Sequence, residues 1–140
     1  MYNTVIIMRG VSGSGKSTYI KEHFSDAVVV SADKYFMKDG KYNFDATKLG
    51  SAHGQCRARF KAALQAGKPL VVVDNTNTRA KEFKAYVKIA VEHYYAVRVV
   101  RLDVPLEDLY GKNVHGVPDE NVKSMYDRME PFENEEVVCR

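Results

Sequence analysis

Hydrophobic residues in this chain alternate between short β-branched runs and longer stretches with helical spacing. The short runs, which predict strands, are residues 5–9, 27–31, 69–74 and 96–102. The run at 69–74 is apolar up to its final aspartate, as is typical of a strand covered on both faces. The stretches with helical spacing are residues 16–24, 45–66, 78–94, 105–109 and 119–129. Strands that alternate with helices predict an α/β fold in which a parallel sheet carries helices on both faces.

The spacing of apolar residues also predicts which face of each helix is buried. The expected inward residues are Ile20 and Phe24, then Leu49, His53, Cys56, Phe60 and Leu64, then Phe83, Val87, Ala90 and Tyr94, and finally Val122, Met125, Tyr126 and Met129. We therefore interpret His53 as a core histidine. Asp45 and Thr78 are candidate N-caps, and Gly67 is a candidate helix terminator. Residues 34–44 predict a loop or a small hairpin that turns at Asp39-Gly40.

Length, composition and charge bear on the number of domains and on possible binding partners. The 140 residues are 45% hydrophobic and 28% charged, which predicts one globular domain spanning residues 1–140. The net charge is +3 and is unevenly distributed. Residues 34–68 hold eight basic and two acidic residues, whereas residues 119–140 hold seven acidic and three basic ones. The middle of the chain can therefore attract a polyanion, although the same lysines also fit a solvated helix face.

Cysteine content and the N-terminal residues bear on the cellular setting. Cys56 and Cys139 lack the partners and spacing of a zinc site, so we interpret both as packing residues. Residues 1–8 lack the basic start and long apolar stretch of a signal peptide, and no segment has the length of a membrane span. We expect a reducing, cytoplasmic setting without a membrane partner. The sequence does not define an oligomeric state.

One segment carries a complete phosphate-binding motif. It runs through Gly10, Val11, Ser12, Gly13, Ser14, Gly15, Lys16, Ser17 and Thr18, between the first predicted strand and the first predicted helix. In that context the motif is a P-loop, whose glycines let backbone amides turn towards phosphate oxygens. Lys16 can reach the terminal phosphates, and the Ser17 hydroxyl can bind Mg²⁺. We predict that this segment binds a nucleoside triphosphate with Mg²⁺.

Two aspartates follow other predicted strands. Ligands of parallel α/β sheets lie at the carboxyl ends of the strands, so these positions are candidates for chemistry. Asp33 can orient an acceptor hydroxyl and take its proton, or it can cap the following turn. Asp74 can hold Mg²⁺ or an acceptor-side network, or it can form the strand-end turn. Asn75, Thr76 and Asn77 extend this polar cluster, although part of it would only shape the turn.

The remaining candidates lie in loops. Residues 111–118 have glycines near both ends with Lys112 and His115 between them, which is the composition of a lid that closes on phosphates, or of a solvated loop. Arg79 can reach the same phosphates or lie exposed, and we interpret Arg128 as structural. Aromatic residues interleaved with lysines either stack bases or anchor a flap; they are Tyr35, Phe36, Tyr42 and Phe44.

Taken together, these motifs resemble the P-loop 5′-hydroxyl polynucleotide kinases. The resemblance covers nearly the whole chain and rests on the P-loop, Ser31-Ala32-Asp33, Ala52-His53, the cluster from Asp74 to Thr78, and His115-Gly116-Val117-Pro118. It implies a three-layer P-loop kinase fold with a small lid. The chain departs from the phage members of the family at two places. They have a lid arginine where this chain offers Lys112 and His115, and a basic residue where it has Tyr35-Phe36.

The resemblance implies transfer of the γ-phosphate of ATP to a 5′-hydroxyl of RNA or DNA, as in nucleic-acid repair. Asp33 would be the general base, Lys16 and Ser17 would contact nucleotide and metal, and Asp74 would lie in the acceptor site. The residues themselves leave two alternatives open. The same fold phosphorylates small alcohols, so the chain can be a metabolite kinase. It can also be a binding module in which the nucleotide orders the lid without transfer.

Overall fold

A computed structural model of the protein describes residues 2–112 and 115–140. In chain order its elements are β1 (Thr4–Arg9), α1 (Lys16–His23), β2 (Val28–Val30), β3 (Met37–Lys38), β4 (Lys41–Tyr42), α2 (Leu49–Gln65), β5 (Leu70–Asp74), α3 (Ala80–Glu92), β6 (Ala96–Asp103), α4 (Leu106–Leu109), α5 (Asp119–Arg128) and β7 (Glu136–Cys139). Short 3₁₀ turns at Ala32–Phe36 and Ala46–Lys48 precede β3 and α2. None of the described helices has the length and apolarity needed to span a membrane.

The central sheet is parallel, in the strand order β2-β5-β1-β6-β7. β1 lies in the middle, with Ile7 opposite Val73 of β5 and Val99 of β6. Because all five strands run the same way, their carboxyl ends meet at one edge, where the P-loop, Asp33 and Asp74 follow β1, β2 and β5. The predicted parallel α/β fold is therefore confirmed.

Side-chain alternation along β1 explains the three layers. Val5 and Ile7 are buried on the face covered by α2 and α3, in one cluster with Phe60 and Phe83. Ile6 and Met8 point the opposite way and pack with Ile20 and Phe24 at α1. A third cluster, around Val11, Leu109 and Val122, fixes α4 and α5 beside the P-loop.

The buried face of α2 differs from the prediction at its first turns. Leu49 and His53 are exposed, whereas Ala52 is fully buried against the cluster of Ala32 and Phe36. The start of α2 reaches beyond the sheet and packs on the turn that follows β2, so the small residue faces inward there. The interpretation of His53 as a core histidine is wrong. Its side chain faces a cavity instead.

The end of α3 also differs from the prediction, which placed Tyr94 on the buried face. Tyr94 is 92% exposed and has a positive φ of 62°, because the chain leaves the helix through a left-handed turn. The neighbouring Tyr95 is buried in its place, and its hydroxyl donates a hydrogen bond to the Lys68 carbonyl at 2.7 Å. In α5, Tyr126 is likewise exposed rather than packed.

Arg9 joins three segments beneath the edge that carries the site. The side chain is fully buried at the end of β1. Its guanidinium donates to the carbonyls of Asn77, Thr78 and Glu130 at 2.8, 2.9 and 2.6 Å, and it pairs with the Glu135 carboxylate at 2.7 Å. Burial lowers the pKa of Arg9, while Glu135 acts in the opposite direction. This single side chain therefore fixes the loop after β5 and the connection from α5 to β7.

We expect Arg9→Met to lower the free energy of unfolding by about 3–5 kcal/mol, because it removes the fully buried partner of Glu135 and leaves the carbonyls that accept from Arg9 without this donor. The Glu135 carboxylate keeps only Arg101, at 3.1 Å. Chemical denaturation measures this loss. Arg98→Ala is the matched control, since Arg98 and Glu136 also pair at 2.7 Å but are about half exposed. Breaking that pair should cost about 1 kcal/mol or less. Equal losses in the two variants would contradict the role of Arg9 as a buried tie.

Candidate active site

The P-loop follows β1 directly and turns into the first residue of α1. Gly13 and Gly15 have φ values of 90° and 93°, which side chains rarely tolerate. The Gly10 amide donates a hydrogen bond to the Thr76 carbonyl at 3.1 Å, so the P-loop and the loop after β5 are held together by their backbones. The sequence folds this way because glycine permits the left-handed turns that a phosphate cradle needs.

The interior of the P-loop fits a phosphate group. A Cβ added at Gly10 would lie 2.5 Å from the Ser14 hydroxyl and 3.3 Å from Cγ of Lys16, so a larger residue would fill the cradle. The Ser14 hydroxyl is buried and has no hydrogen-bond partner among the described residues. A glycine-lined cradle with an unused donor at the start of a helix is suited to phosphate oxygens.

Lys16 lies across the mouth of this cradle. Its Nζ donates a hydrogen bond to the Gly10 carbonyl at 2.9 Å. Burial lowers the pKa of Lys16, and the negative charges of Asp74 and Asp33 act in the opposite direction. Burial likewise raises the pKa of Asp74, which the charge of Lys16 counteracts. The two groups are therefore electrostatic partners in a poorly solvated region, where added phosphate charge would favour the protonated lysine.

One cavity of about 220 Å³ brings most of the predicted site residues together. Its lining residues are Ser12, Gly13, Gly15, Lys16, Ser17, Thr18, Asp33, Asp74, Asn75, Thr76, Lys112, His115 and Val117. They come from β1, β2, β5 and the lid, which are far apart in the chain. We call this space the donor cavity.

The polar cluster after β5 divides between the cavity and the scaffold. Asn77 is 2% exposed, has a positive φ of 48°, and donates through its side chain to the Met8 carbonyl at 2.8 Å. Arg79 immediately precedes α3, outside the lining of the donor cavity. Asn75 lines the cavity and also accepts a hydrogen bond from the Ala32 amide at 2.9 Å, which ties β5 to the turn that carries Asp33. Asp74, Asn75 and Thr76 therefore face the cavity, whereas Asn77 and Arg79 do not.

Asp33 lies in the 3₁₀ turn after β2, with its carboxylate turned to the cavity. The cap of this turn is Ser31, whose hydroxyl accepts a hydrogen bond from the Asp33 amide at 3.1 Å. The Asp33 carboxylate is consequently available for other partners, and its side chain is 55% exposed. It accepts a hydrogen bond from the Tyr42 hydroxyl at 3.3 Å and lies 3.8 Å from Nε2 of His115. The sequence did not predict the contact between Tyr42 and this carboxylate.

The lid spans residues 111–118, of which Asn113 and Val114 lie outside the described residues. Lys112 and His115 both line the donor cavity. The His115 ring also stacks on Tyr42, with centroids 3.9 Å apart and planes 25° apart. His115 is thus next to Asp33, and Lys112 lines the same cavity.

A second cavity of about 460 Å³ adjoins the first and shares Ser12, Asp33, Asn75, Thr76, His115 and Val117 with it. Its other walls are largely aromatic and apolar, formed by Phe36, Tyr42, Phe44, Leu49, His53 and Met125. Arg128 also reaches it, while donating a hydrogen bond to the Ser124 hydroxyl at 2.9 Å. We call this space the acceptor groove. It begins at Asp33 and leads away from the P-loop.

A third cavity, of about 470 Å³, continues from the acceptor groove past Phe36 and Phe44. It lies between the β3–β4 hairpin and the start of α2, and it is lined by Tyr35, Lys38, Asn43, Asp45, Lys48 and Gln55 as well. Lys38 and Lys48 are exposed there. The three cavities therefore form a track that runs from the P-loop to a lysine-bearing surface.

The described residues contain no group of three or more His, Cys, Asp or Glu side chains able to hold a metal by themselves. The donor cavity offers one hydroxyl, Ser17, and one buried carboxylate, Asp74. That donor set fits Mg²⁺, which proteins bind through one or two side chains together with water and substrate phosphates.

The amino-acid sequence of this chain is similar to a family of known proteins. A family model described as AAA domain matches residues 5–132. NEDD4-binding protein 2 of Homo sapiens is 33% identical over 135 residues, which include 91% of this chain. The chain spans only 8% of the length of that protein.

Solved structures with the same arrangement of elements include two of note. A gluconokinase from Sinorhizobium meliloti 1021 has a TM-score of 0.66 at 16% identity, covering 99% of this chain and 83% of that one. A chain of the Pnkp1/Rnl/Hen1 RNA repair complex has a TM-score of 0.73 at 21% identity, covering 91% of this chain and 44% of that one. At such identities the likeness concerns the fold, and it confirms the predicted three-layer architecture.

Proposed function

This chain belongs to the AAA domain family and is an ATP-dependent kinase with the P-loop kinase fold, and from that premise we propose that it phosphorylates the 5′-hydroxyl end of RNA or DNA. The observation that carries the proposal is the track from the donor cavity through the acceptor groove to Lys38 and Lys48. A nucleic acid end needs a flat apolar site for its base and cations for the phosphates that follow. The track supplies both in that order.

The donor half of the reaction uses the P-loop. Its backbone amides cradle the phosphates, and Lys16 can leave the Gly10 carbonyl to contact their terminal oxygens. Ser17 and Asp74 would hold Mg²⁺, which would neutralise charge on the phosphate oxygens of ATP, the donor of the γ-phosphoryl group. Lys112 adds positive charge within the same cavity, which His115 also lines.

The acceptor half uses Asp33. Its carboxylate lies at the junction of the donor cavity and the acceptor groove, where a 5′-hydroxyl can approach in line with the γ-phosphorus. Asp33 orients this hydroxyl and takes its proton as the new bond from O5′ to phosphorus forms. The bond from phosphorus to the bridging oxygen of the donor breaks, and the diphosphate leaves. In a loose transition state, this carboxylate acts mainly by positioning.

The relatives support the same acceptor class. One structural neighbour is a chain of a complex described as an RNA repair complex, and RNA is one of the two acceptors proposed for this chain. The gluconokinase likeness favours a second candidate, a kinase of small alcohols, because that chain is matched over most of its length. The lysine-bearing extension of the groove favours the polynucleotide, since a small alcohol would not reach it.

The test is transfer of labelled γ-phosphate from ATP with Mg²⁺ to 5′-hydroxyl oligonucleotides of RNA and DNA, beside nucleosides, 3′-nucleotides and sugars. Labelling of oligonucleotide 5′ ends above all other acceptors is the expected result. Labelling of a small alcohol alone would replace the polynucleotide with the metabolite kinase. ATP binding without transfer to any acceptor would favour the nucleotide-gated binding module.

We further expect Lys38→Glu combined with Lys48→Glu to raise the KM for an oligonucleotide acceptor about tenfold at low salt, because two phosphate-neutralising charges are reversed. The KM for a nucleoside acceptor should stay the same, since a nucleoside lacks those phosphates. The same assay across a salt series should show a shallower dependence in the variant than in the parent. Lys88→Glu, an exposed charge reversal on α3 away from the three cavities, is the control. A similar effect of Lys88→Glu would attribute the change to net charge rather than to the track.

A further inference from the structure

Two side chains from distant parts of the chain contact the Asp33 carboxylate at different oxygens. The Tyr42 hydroxyl, on β4, donates a hydrogen bond to Oδ1 at 3.3 Å. Nε2 of His115, in the lid, lies 3.8 Å from Oδ2. Because Tyr42 occupies Oδ1, the carboxylate plane is held in one orientation and Oδ2 is left towards the cavity.

Tyr42 and His115 also contact one another. Their rings stack with centroids 3.9 Å apart, so Asp33, Tyr42 and His115 form a closed triangle of contacts. The triangle joins three separate segments: the turn after β2, the β3–β4 hairpin and the lid. The β3–β4 hairpin therefore contacts both the Asp33 carboxylate and His115, in addition to forming a wall of the acceptor groove.

The hairpin places Tyr42 through apolar contacts that do not involve its hydroxyl. Its ring lies edge-on to the buried Phe36, with centroids 6.1 Å apart, and parallel to Phe44, with planes 11° apart. The Asn43 amide donates to the Phe36 carbonyl at 2.8 Å and closes the hairpin against this ring. The ring therefore supports the hairpin, and the hydroxyl is available to Asp33.

We infer that Tyr42 is a positioning residue for Asp33, whose hydroxyl aligns the base and whose ring is the surface on which His115 of the lid docks. The inference rests on the proposed role of Asp33. Alignment matters because a displacement of about 1 Å between the base and the acceptor hydroxyl costs up to about 100-fold in rate. Through Tyr42, the segment that carries His115 is in contact with the side chain that orients the base.

The phenol is suited to this task over the whole working pH range. Burial, together with the negative charge of Asp33, raises the pKa of Tyr42 to about 12. The hydroxyl therefore stays protonated and remains a hydrogen-bond donor. A phenolate at this place would repel the carboxylate it orients.

The first test compares Tyr42→Phe with Tyr42→Leu on the best acceptor of the panel. We expect Tyr42→Phe to lower kcat about tenfold, the effect of one hydrogen bond to a charged group, with the KM for ATP unchanged. Tyr42→Leu should lower kcat further and raise the acceptor KM, because it also removes the stack with His115 and a wall of the groove. Tyr94→Phe, the same change at a tyrosine that is 92% exposed and lines none of the three cavities, is the matched control and should keep the parent kcat. A parent kcat in Tyr42→Phe would overturn the inference.

The second test introduces Tyr42→Phe into Asp33→Asn. If Tyr42 acts through Asp33, it should have less than a twofold further effect there. A full tenfold effect in both backgrounds would assign Tyr42 a role separate from the base and overturn the inference. An Asp33→Asn variant with parent activity would instead contradict the role of Asp33 in the proposed function, so the two failures are distinguishable.

A third measurement needs no acceptor at all. In protein carrying ¹³C-labelled tyrosine, the Tyr42 signal, assigned through Tyr42→Phe, should begin to titrate at lower pH in Asp33→Asn than in the parent. The sign follows because Asp33 raises the pKa of this phenol. An unchanged Tyr42 titration would show that the two side chains do not interact, and would overturn the inference even if no acceptor were found.

Discussion

Lys16→Met is expected to lower the turnover of phosphoryl transfer by at least about 100-fold, the effect of removing one preorganised charge from a transition state. In the protein the ammonium is positioned at the mouth of the P-loop by the Gly10 carbonyl, 2.9 Å away. Burial lowers the pKa of Lys16, so little water surrounds the charge and its field acts directly on the bound phosphates. Methionine keeps an unbranched stem up to the position of Cε and removes the ammonium group with its charge and donors.

We do not expect the loss of turnover in Lys16→Met to result from unfolding of the protein. Burial lowers the pKa of Lys16 in the folded state, so its charge weakens folding wherever it is protonated in the unfolded state, and removing that charge relieves the cost. The substitution also takes the positive partner from Asp74, but burial already raises the pKa of this carboxyl, so it can take up a proton instead of remaining an unpaired charge. Cooperative thermal melting, followed by circular dichroism, checks this. Lys21→Met on the exposed side of α1 is the control and should leave turnover within twofold of the parent. Turnover of Lys16→Met within tenfold of the parent would contradict the assignment of the P-loop.

The layers of the fold were predictable because they depend on local patterns. The strand at 69–74 has no polar side chain before Asp74, and such a run is stable only between two apolar layers. β7 was not predicted because it is a four-residue edge strand that begins with Glu136, and the strand with which it pairs, β6, lies far away in the sequence. Strands this short carry too few residues for a period-two pattern to stand out.

The errors in α2 and α3 have a common physical cause. Helical spacing identifies an apolar stripe, but only the neighbouring elements decide how far that stripe is covered. At the start of α2 the neighbour is the turn after β2, which contacts Ala52 and leaves Leu49 and His53 facing the acceptor groove. At the end of α3 a left-handed turn exchanges Tyr94 for Tyr95.

The candidate site also contains residues that the sequence could predict and contacts that it could not. The P-loop was predictable because its residues are contiguous and each has a defined task. Asp33 and Asp74 were predictable because parallel strands end at one edge. The contacts of Asp33 with Tyr42 and His115, and those of Arg9 with Glu130 and Glu135, join segments with no common sequence pattern. An arginine at the end of an otherwise apolar strand is the sequence feature that could have indicated the contacts of Arg9.

Asp33→Asn is expected to leave ATP binding within about twofold of the parent and to lower transfer to the acceptor by at least about 100-fold, within the usual contribution of a general base. The substitution is nearly isosteric, and the amide oxygen can still accept the hydrogen bond from Tyr42. It removes the negative charge and the basic oxygen that face the acceptor. Direct titration of ATP and labelled-phosphate transfer, measured on the same preparation, separate the two effects.

Asp39→Asn is the matched control for this experiment, because it makes the same chemical change at the exposed tip of the β3–β4 hairpin. Asp39 has a positive φ of 51°, a conformation that asparagine accepts, so the hairpin should keep its shape. Transfer by Asp39→Asn should equal that of the parent. An Asp33→Asn variant that retains more than about a tenth of the parent rate would exclude Asp33 as the base, since a general base contributes about 100-fold or more. A parallel loss of ATP binding would instead place Asp33 in the donor site, where its charge contributes to the environment of Lys16.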